Sequence, residues 1–138
     1  MGGDALILLD THVLLWMERN DPAVGPVSRR RIDDALRDNT LAVSAVSFWE
    51  MAMLVRKERI RVPAPVGQLR RDLLAGGLLE IPLDGETGIA AAELDGFHAD
   101  PADRMIVATA IRRGATLMTA DEQILAWPGR LSRGRVRT

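Results

Sequence analysis

The 138-residue chain contains no cysteine, so neither a disulfide framework nor a thiolate metal site can form. Its apolar runs are short, and none approaches the roughly 20 residues that a membrane-spanning helix requires. The first residues also lack the basic segment and the long apolar segment that mark a secretion signal. These absences favour a cytoplasmic protein that has no membrane partner.

An excess of charge of either sign is missing as well. The chain carries 18 lysine and arginine residues against 19 aspartate and glutamate residues, a net charge of -1, which gives no global attraction to nucleic acid. Any nucleic-acid binding must therefore come from local basic patches. A domain of this length buries roughly two-thirds of its unfolded surface. We expect a single domain over residues 1–138, with a core at about 5–127 and a basic tail at 128–138.

Short apolar segments alternate with amphipathic segments along the chain, without a repeat or a linker. Apolar runs of this length, bounded by polar residues, are typical of strands buried on both faces of a parallel sheet. The alternation predicts an α/β fold, a three-layer sandwich with a central parallel sheet between helices. The predicted strands are 6–9, 41–43, 78–83 and 115–119, and Pro82 makes the third an edge strand or ends it early.

Asp10 directly follows the first predicted strand, with apolar chain on both sides. The carboxyl ends of strands are where sheets of this class bind their ligands. A carboxylate in such surroundings is costly unless a neighbour or a cation pairs with it. Asp10 is therefore the first candidate site residue.

Glu50 lies in a predicted helix, roughly 46–57, that is apolar nearly all round and is therefore expected to be buried. No basic residue stands three or four positions from Glu50, so its own helix cannot neutralise it. Helix propensity gives no reason to place a carboxylate there. Two explanations remain open, a functional site and a buried ion pair with an arginine from elsewhere in the chain.

Two further acids stand at the ends of predicted elements. Asp103 falls in the first turn of a helix that Asp100 and Pro101 begin, and Asp121 follows the last predicted strand. Helix capping alone explains acids at such positions and stabilises a helix by roughly 1 kcal/mol. Asp100 and Asp121 are thus candidate caps as well as candidate site residues.

Together, Asp10, Glu50, Asp103 and Asp121 point to one acidic cluster at the ligand-binding edge of the sheet. Crowded carboxylates raise one another's pKa unless a divalent cation joins them. With no cysteine and only two histidines, oxygen ligands predominate, which favours Mg²⁺ or Mn²⁺ over Zn²⁺. Such a site activates water for displacement at phosphorus, so hydrolysis of an RNA phosphodiester is the natural hypothesis.

Other polar residues are candidates for accessory roles. The hydroxyls of Thr11 and Thr119 stand where they can hold a carboxylate or a phosphate, as hydroxyls at element ends do in many folds. Arg104 follows Asp103 and points away from it around the helix, toward either a scissile phosphate or an acid. The two histidines, His12 and His98, are expected to be structural or to contact substrate.

The tryptophans and the basic clusters also have ordinary explanations. All three tryptophans, Trp16, Trp49 and Trp127, lie in apolar stretches and are expected in the core or an interface. Runs of basic residues are usually solvated faces, but around an acidic pocket they would hold an RNA backbone. The clusters are Arg29–Arg31, Arg56–Arg61, Arg70 with Arg71, and the four tail arginines Arg130, Arg133, Arg135 and Arg137. The tail is the best case, because its four arginines are expected to have few partners nearby.

Four segments carry a family resemblance that covers about residues 5–127. They are LLDTHVLLW, VSAVSFWEMAML, HADPADRMIVATA and TLMTADEQI, in that order. The chain resembles the PIN domain, and specifically the VapC-type toxin ribonucleases of bacterial toxin–antitoxin pairs. The resemblance implies that Asp10, Glu50, Asp103 and Asp121 form an Mg²⁺-holding acidic pocket, with Asp100 as an accessory ligand or cap.

The resemblance further implies an α/β domain that forms a homodimer, cleaves RNA and is inhibited by a separate antitoxin, whose C-terminal segment lies across the active-site groove. Two other functions remain in competition. A phosphatase or receiver domain would use Asp10 as a nucleophile, but haloacid-type phosphatases require a second aspartate where this chain has His12. A binding module would keep the PIN fold without chemistry, and loss of an acid would favour it.

Overall fold

The computed structural model describes residues 6–97 and 100–138, and within them the strands form one five-stranded, entirely parallel sheet. The strands are β1 (Ile7–Leu9), β2 (Leu41–Ser44), β3 (Leu79–Ile81), β4 (Thr116–Thr119) and β5 (Arg133–Arg135). The helices are α1 (Thr11–Glu18), α2 (Pro26–Arg37), α3 (Ala45–Arg56), α4 (Val66–Ala75), α5 (Gly85–Ala92), α6 (Pro101–Arg113) and α7 (Glu122–Ala126). This architecture confirms the predicted α/β fold.

The strand order is β3-β2-β1-β4-β5. The chain runs outward from β1 to β2 and β3, then crosses back to place β4 on the other side of β1. The carboxyl ends of β1 and β4 therefore flank the point at which the winding of the sheet reverses, where open α/β sheets bind their ligands. As Pro82 predicts, β3 is an edge strand.

The sheet is covered on both faces. Successive residues of a strand point to opposite faces, so Leu9 and Met118 belong to one hydrophobic core and Leu8 and Leu117 to the other. The first core includes residues of α1, α2, α3 and α4, and the second includes residues of α6 and α7. In the described part of the chain, no helix is both long and apolar enough to cross a membrane.

The prediction that α3 is buried all round is wrong. Its residues Val46, Phe48 and Met51 are buried, but Trp49 is 54% exposed. Only one side of the helix therefore packs on the domain. The other side borders an apolar groove of about 370 Å³ that also contains Leu83, Pro101 and Met105.

The basic tail is part of the core, which therefore extends beyond residue 127. β5 pairs in parallel with β4, and Val136 is fully buried. The backbone N–H of Val136 donates to the Thr119 carbonyl at 3.0 Å, and the N–H of Gly25 donates to the Val136 carbonyl at 3.0 Å. The tail is thus tied to β4 on one side and to the start of α2 on the other.

Gly25 is the position at which this docking is tightest. A Cβ atom there would lie 2.4 Å from the carbonyl oxygen of Arg137, and backbone atoms cannot move aside without displacing the tail. We expect Gly25→Ala to lower the free energy of unfolding by about 1–3 kcal/mol, measured by urea denaturation. Gly88→Ala is the matched control, since Gly88 lies in α5 with open space around it. Gly88→Ala should be neutral or stabilise by up to about 1 kcal/mol, and equal effects at the two positions would contradict the proposed constraint.

Candidate metal centre

An acidic cleft of about 340 Å³ opens at the carboxyl ends of β1 and β4. Asp10 enters it at the end of β1, Glu50 from α3, Asp103 from α6 and Asp121 from the start of α7. The structure therefore brings together all four acids that the sequence singles out. The other lining residues are His12, Trp16, Asp100, Ala120 and Arg137.

Thr119 links two of these acids. Its hydroxyl donates to Oδ2 of Asp10 at 2.7 Å and accepts a hydrogen bond from the backbone N–H of Asp121 at 3.0 Å. Thr119 is completely buried and Asp10 is 5% exposed. Burial raises the pKa of the Asp10 carboxyl, and the Thr119 hydrogen bond offsets part of that rise. Thr119 thus fixes the orientation of Asp10 and the course of the chain into Asp121.

Glu50 contains a buried oxygen without a partner. Its Oε1 is inaccessible to solvent and makes no hydrogen bond with any described residue. Glu50 also forms no ion pair within the described ranges, so the alternative of a buried arginine partner finds no support. Burial raises its pKa most, the neighbouring Thr11 hydroxyl offsets part of that rise, and the carboxylates of Asp100 and Asp10 add to it. A buried, unsatisfied acceptor of this kind is costly and fits a site that a cation completes.

Asp100 and Asp103 complete the cluster at the start of α6. Carboxylate oxygens of Glu50, Asp100 and Asp103 lie within 4.8 Å of one another. Oδ1 of Asp100 also accepts from the Asp103 N–H at 2.9 Å, so the residue is a helix cap as well as a member of the cluster. Burial, followed by the charges of Asp10, Asp100, Glu50 and Asp121, raises the pKa of Asp103 to about 8. The fold thus holds carboxylates together against their mutual repulsion.

The lining of the cleft fits a hard divalent cation. Its donors are carboxylate oxygens, which Mg²⁺ and Mn²⁺ prefer, and positive charge at the cluster would remove the repulsion that raises the pKa of Asp103. The same cation would give the unpartnered Glu50 oxygen a ligand bond. The residues present therefore suit such an ion.

The accessory candidates have different surroundings. Thr11 donates to the Ser47 hydroxyl at 2.8 Å, joining α1 to α3 behind the cleft. Asp121 caps α7 by accepting from the Gln123 N–H at 2.8 Å, in addition to lining the cleft. His12 is exposed and lines the cleft, whereas His98 lies outside the described residues.

Arg104 binds neither of the groups that its sequence position suggests. Its guanidinium donates to the backbone carbonyls of Ala91, Ala92, Leu94 and Phe97, at 2.9 Å, 3.0 Å and 2.9 Å for the first three. A planar cation with five N–H donors can satisfy several carbonyls at the end of a helix at once. Arg104 therefore fastens the end of α5 and the chain after it to α6, and the expectation of a phosphate or acid partner is corrected.

Arg137 and Trp16 also line the cleft. From sequence, Arg137 is one of four tail arginines expected to hold an RNA backbone if they surround the pocket, whereas Trp16 is expected in the core or an interface. The tail carries a sequence signal of a strand in the alternating pattern Arg133, Gly134, Arg135, Val136, Arg137. A fifth parallel strand beside β4 would have brought the end of the tail close to Asp121.

The domain is a parallel α/β sheet with an acidic cleft at the point where the winding of the sheet reverses. Because carboxylate oxygens line this cleft, the domain belongs to a class suited to binding divalent cations. The sequence profile of the PIN domain matches residues 7–128, and the chain belongs to the PIN domain family. Ribonuclease VapC22 of Mycobacterium tuberculosis is 34% identical over 122 residues, which cover 86% of this chain and 88% of that protein.

Solved structures share the fold. A crystal structure of VapBC2 from Rickettsia felis, bound to a DNA fragment from their promoter, contains a chain that matches with a TM-score of 0.69 at 20% identity. The match covers 94% of this chain and 98% of that one. A chain of DNA-bound VapBC from Salmonella typhimurium also gives a TM-score of 0.69 at 20% identity, covering 95% and 98% of the two chains.

The link through Thr119 predicts an effect on cation binding. Thr119→Val keeps the shape of the side chain but removes the hydrogen bonds to Asp10 and from Asp121, so we expect Mn²⁺ affinity to fall by about 10–100-fold, as measured by electron paramagnetic resonance. Thr119→Ser keeps the hydroxyl and should bind Mn²⁺ nearly as well as the wild type. Equal affinities for the valine variant and the wild type would contradict a role for Thr119 in orienting Asp10.

The raised pKa of Asp103 predicts a pH dependence in protein stripped of metal with EDTA. The unfolded chain ionises this carboxyl near its ordinary pKa of 3.8 and the folded protein only near 8, so its contribution to stability falls as pH rises between those values. We expect Asp103→Asn to lessen the loss of melting temperature across this range by about a few degrees.

The exposed Asp33, on α2, supplies the control Asp33→Asn, which should follow the wild-type pH profile. Mg²⁺ should raise the melting temperature of the wild type more than that of Asp103→Asn, because the cation requires the ionised ligand. If the melting temperatures of all three proteins depend on pH in the same way, the carboxylate repulsion inferred around Asp103 is absent in solution.

Proposed function

We propose that the chain is a Mg²⁺-dependent endoribonuclease, the toxin of a type II toxin–antitoxin pair, which hydrolyses phosphodiester bonds in RNA in the cytoplasm. The observation that carries this proposal is the convergence of Asp10, Glu50, Asp103 and Asp121 on one cleft that contains an unpartnered buried Glu50 oxygen. A relative that aligns with 86% of this chain is named a ribonuclease, which supports RNA as the substrate.

The four acids, with Asp100 beside them, would hold Mg²⁺, and Mn²⁺ would be a suitable substitute. When bound, the cation lowers the pKa of a water molecule and offsets the negative charge that develops at phosphorus. Asp10 keeps a fixed orientation through Thr119, and Asp103 gives up the proton that its raised pKa favours in the metal-free protein.

An antitoxin has a suitable docking surface next to the cleft. The apolar groove of α3 and α6 is lined by Ala45, Val46, Trp49, Leu83, Pro101, Ala102 and Met105, and both Trp49 and Leu83 are exposed hydrophobics. Contiguous exposed apolar surface of this kind is typical of protein interfaces. The structural relatives in VapBC complexes support an antitoxin segment as its occupant, and we propose a homodimer as the form that the antitoxin binds.

Cleavage should depend on the acids and on metal. We expect Asp10→Asn and Glu50→Gln to lower the rate of cleavage of a structured RNA mixture by at least about 100-fold, and EDTA to abolish it. Glu93→Gln, at an exposed carboxylate outside the cleft, is the matched control and should cleave like the wild type. Gel electrophoresis of the RNA products measures the rate, and all variants are purified identically to exclude contaminating nucleases.

A folded wild-type protein that is as inert as Asp10→Asn in both Mg²⁺ and Mn²⁺, with no copurifying antitoxin, would contradict the proposal. That outcome would favour the alternative, a PIN-fold module that binds RNA or protein without chemistry.

A further inference from the structure

Among the described residues, one arginine lines the acidic cleft itself. Arg137 lines the cleft, and its guanidinium carbon lies 6.0 Å from the centroid of the Trp16 ring. The residue is exposed and forms no ion pair with the described carboxylates. Its charge is therefore available to a ligand that enters from solvent.

The fold fixes the position of this side chain even though it lies near the end of the tail. Val136, directly before it, is fully buried and hydrogen-bonded through its backbone to Thr119 and Gly25. On the other side, the carbonyl of Thr138 accepts from the N–H of Val27 at 3.1 Å. The absence of a side chain at Gly25 lets the backbone of Arg137 pass close to α2. The backbone is thus held on both sides of Arg137.

The neighbouring tail arginines have other partners. Arg133 donates to the carbonyls of Ile124, Trp127 and Gly129 at 2.6, 2.7 and 2.9 Å, and Arg135 pairs with Glu122. The expectation that the tail arginines have few partners is therefore wrong for these two. Arg137 differs from them because it lines the cleft.

We propose that Arg137 binds a non-bridging oxygen of an RNA phosphate at the entrance to the cleft, an inference that rests on the proposed function. A cleft lined by carboxylates repels a polyanion, so the substrate needs a cation at the rim that is not used to neutralise the acids. A guanidinium presents a planar pair of donors that matches phosphate oxygens. The Trp16 ring supports that plane by cation–π contact, leaving its N–H edge for the ligand.

The test compares Arg137→Gln, Arg137→Lys and Arg130→Gln with the wild type. Arg130 is an exposed arginine of the same tail that does not line the cleft, so Arg130→Gln is the matched control. Binding of a fluorescein-labelled single-stranded RNA is measured by anisotropy in EDTA at several salt concentrations. Cleavage is measured in Mg²⁺ to obtain kcat and KM. Melting temperatures report whether each variant folds.

We expect Arg137→Gln to raise Kd and KM by about 10-fold or more, with kcat within about 2-fold of the wild type. The slope of log affinity against log salt should shrink by about 0.7, the value for one phosphate contact on a single strand. Arg137→Lys keeps the positive charge but loses the planar pair of N–H donors, so its KM should lie between those of the wild type and Arg137→Gln. Arg130→Gln should match the wild type, and all variants should melt like it.

The two proposals fail in different ways. If the wild type cleaves RNA and Arg137→Gln has unchanged KM and salt slope, Arg137 is not a phosphate contact while the nuclease function stands. If the wild type binds RNA without cleaving it and Arg137→Gln binds more weakly, the phosphate contact stands and the nuclease proposal fails. A wild type that neither binds nor cleaves RNA overturns both proposals. Equal losses of RNA affinity for Arg137→Gln and Arg130→Gln would attribute the effect to the overall charge of the tail and overturn the phosphate contact.

Discussion

Repulsion among carboxylates at one edge of the sheet is the constraint on which the site depends. Asp10, Glu50 and Asp103 all have raised pKa values, with burial as the first cause in each case and neighbouring carboxylates adding to it. Such a cluster does not assemble for stability, because separating the charges would lower the free energy of the metal-free protein. It persists because each acid is anchored by an element with its own hydrophobic contacts. The packing of the two cores therefore offsets an electrostatic cost that protonation of Asp103 lessens in the metal-free protein and that a bound cation would lessen further.

The topology explains how distant parts of the chain meet. Asp10 and Thr119 are adjacent because β4 pairs with β1, while β2 and β3 occupy the opposite side. Parallel strands end at the same edge of a sheet, so the residues after β1 and β4 approach each other without a special loop. Glu50 reaches that edge because α3 follows β2 immediately, with Ser44 capping the helix. Asp10 and Asp121 thus owe their positions to strand ends and Asp103 to the start of α6, whereas Glu50 lies within α3.

Local pattern therefore predicts most of the fold and the four acids. Short apolar runs identify strands, and a carboxylate in apolar surroundings is conspicuous wherever the sheet places it. The sequence pattern does not show which elements pack against each other. The exposure of Trp49 depends on which side of α3 is covered, and the four carbonyl partners of Arg104 belong to a segment that only tertiary packing brings near. The alternating pattern of the tail indicates a strand but not that this strand lies next to β4, because parallel pairing is a long-range contact.

The same distinction governs the basic residues. Balanced composition leaves a net charge of -1, and several arginines pair with acids of the same chain, as in the surface ion pairs Arg70 with Glu80 and Arg112 with Glu86. The number of arginines thus overstates the positive charge available to RNA. The acidic cleft also repels a phosphate unless a cation is bound there. A cation bound by the acids would make the cleft more favourable for phosphate, and a bound phosphate would in turn favour the cation. Reciprocal coupling of this kind is a thermodynamic necessity, so metal affinity and RNA affinity should be treated as one linked property of this site.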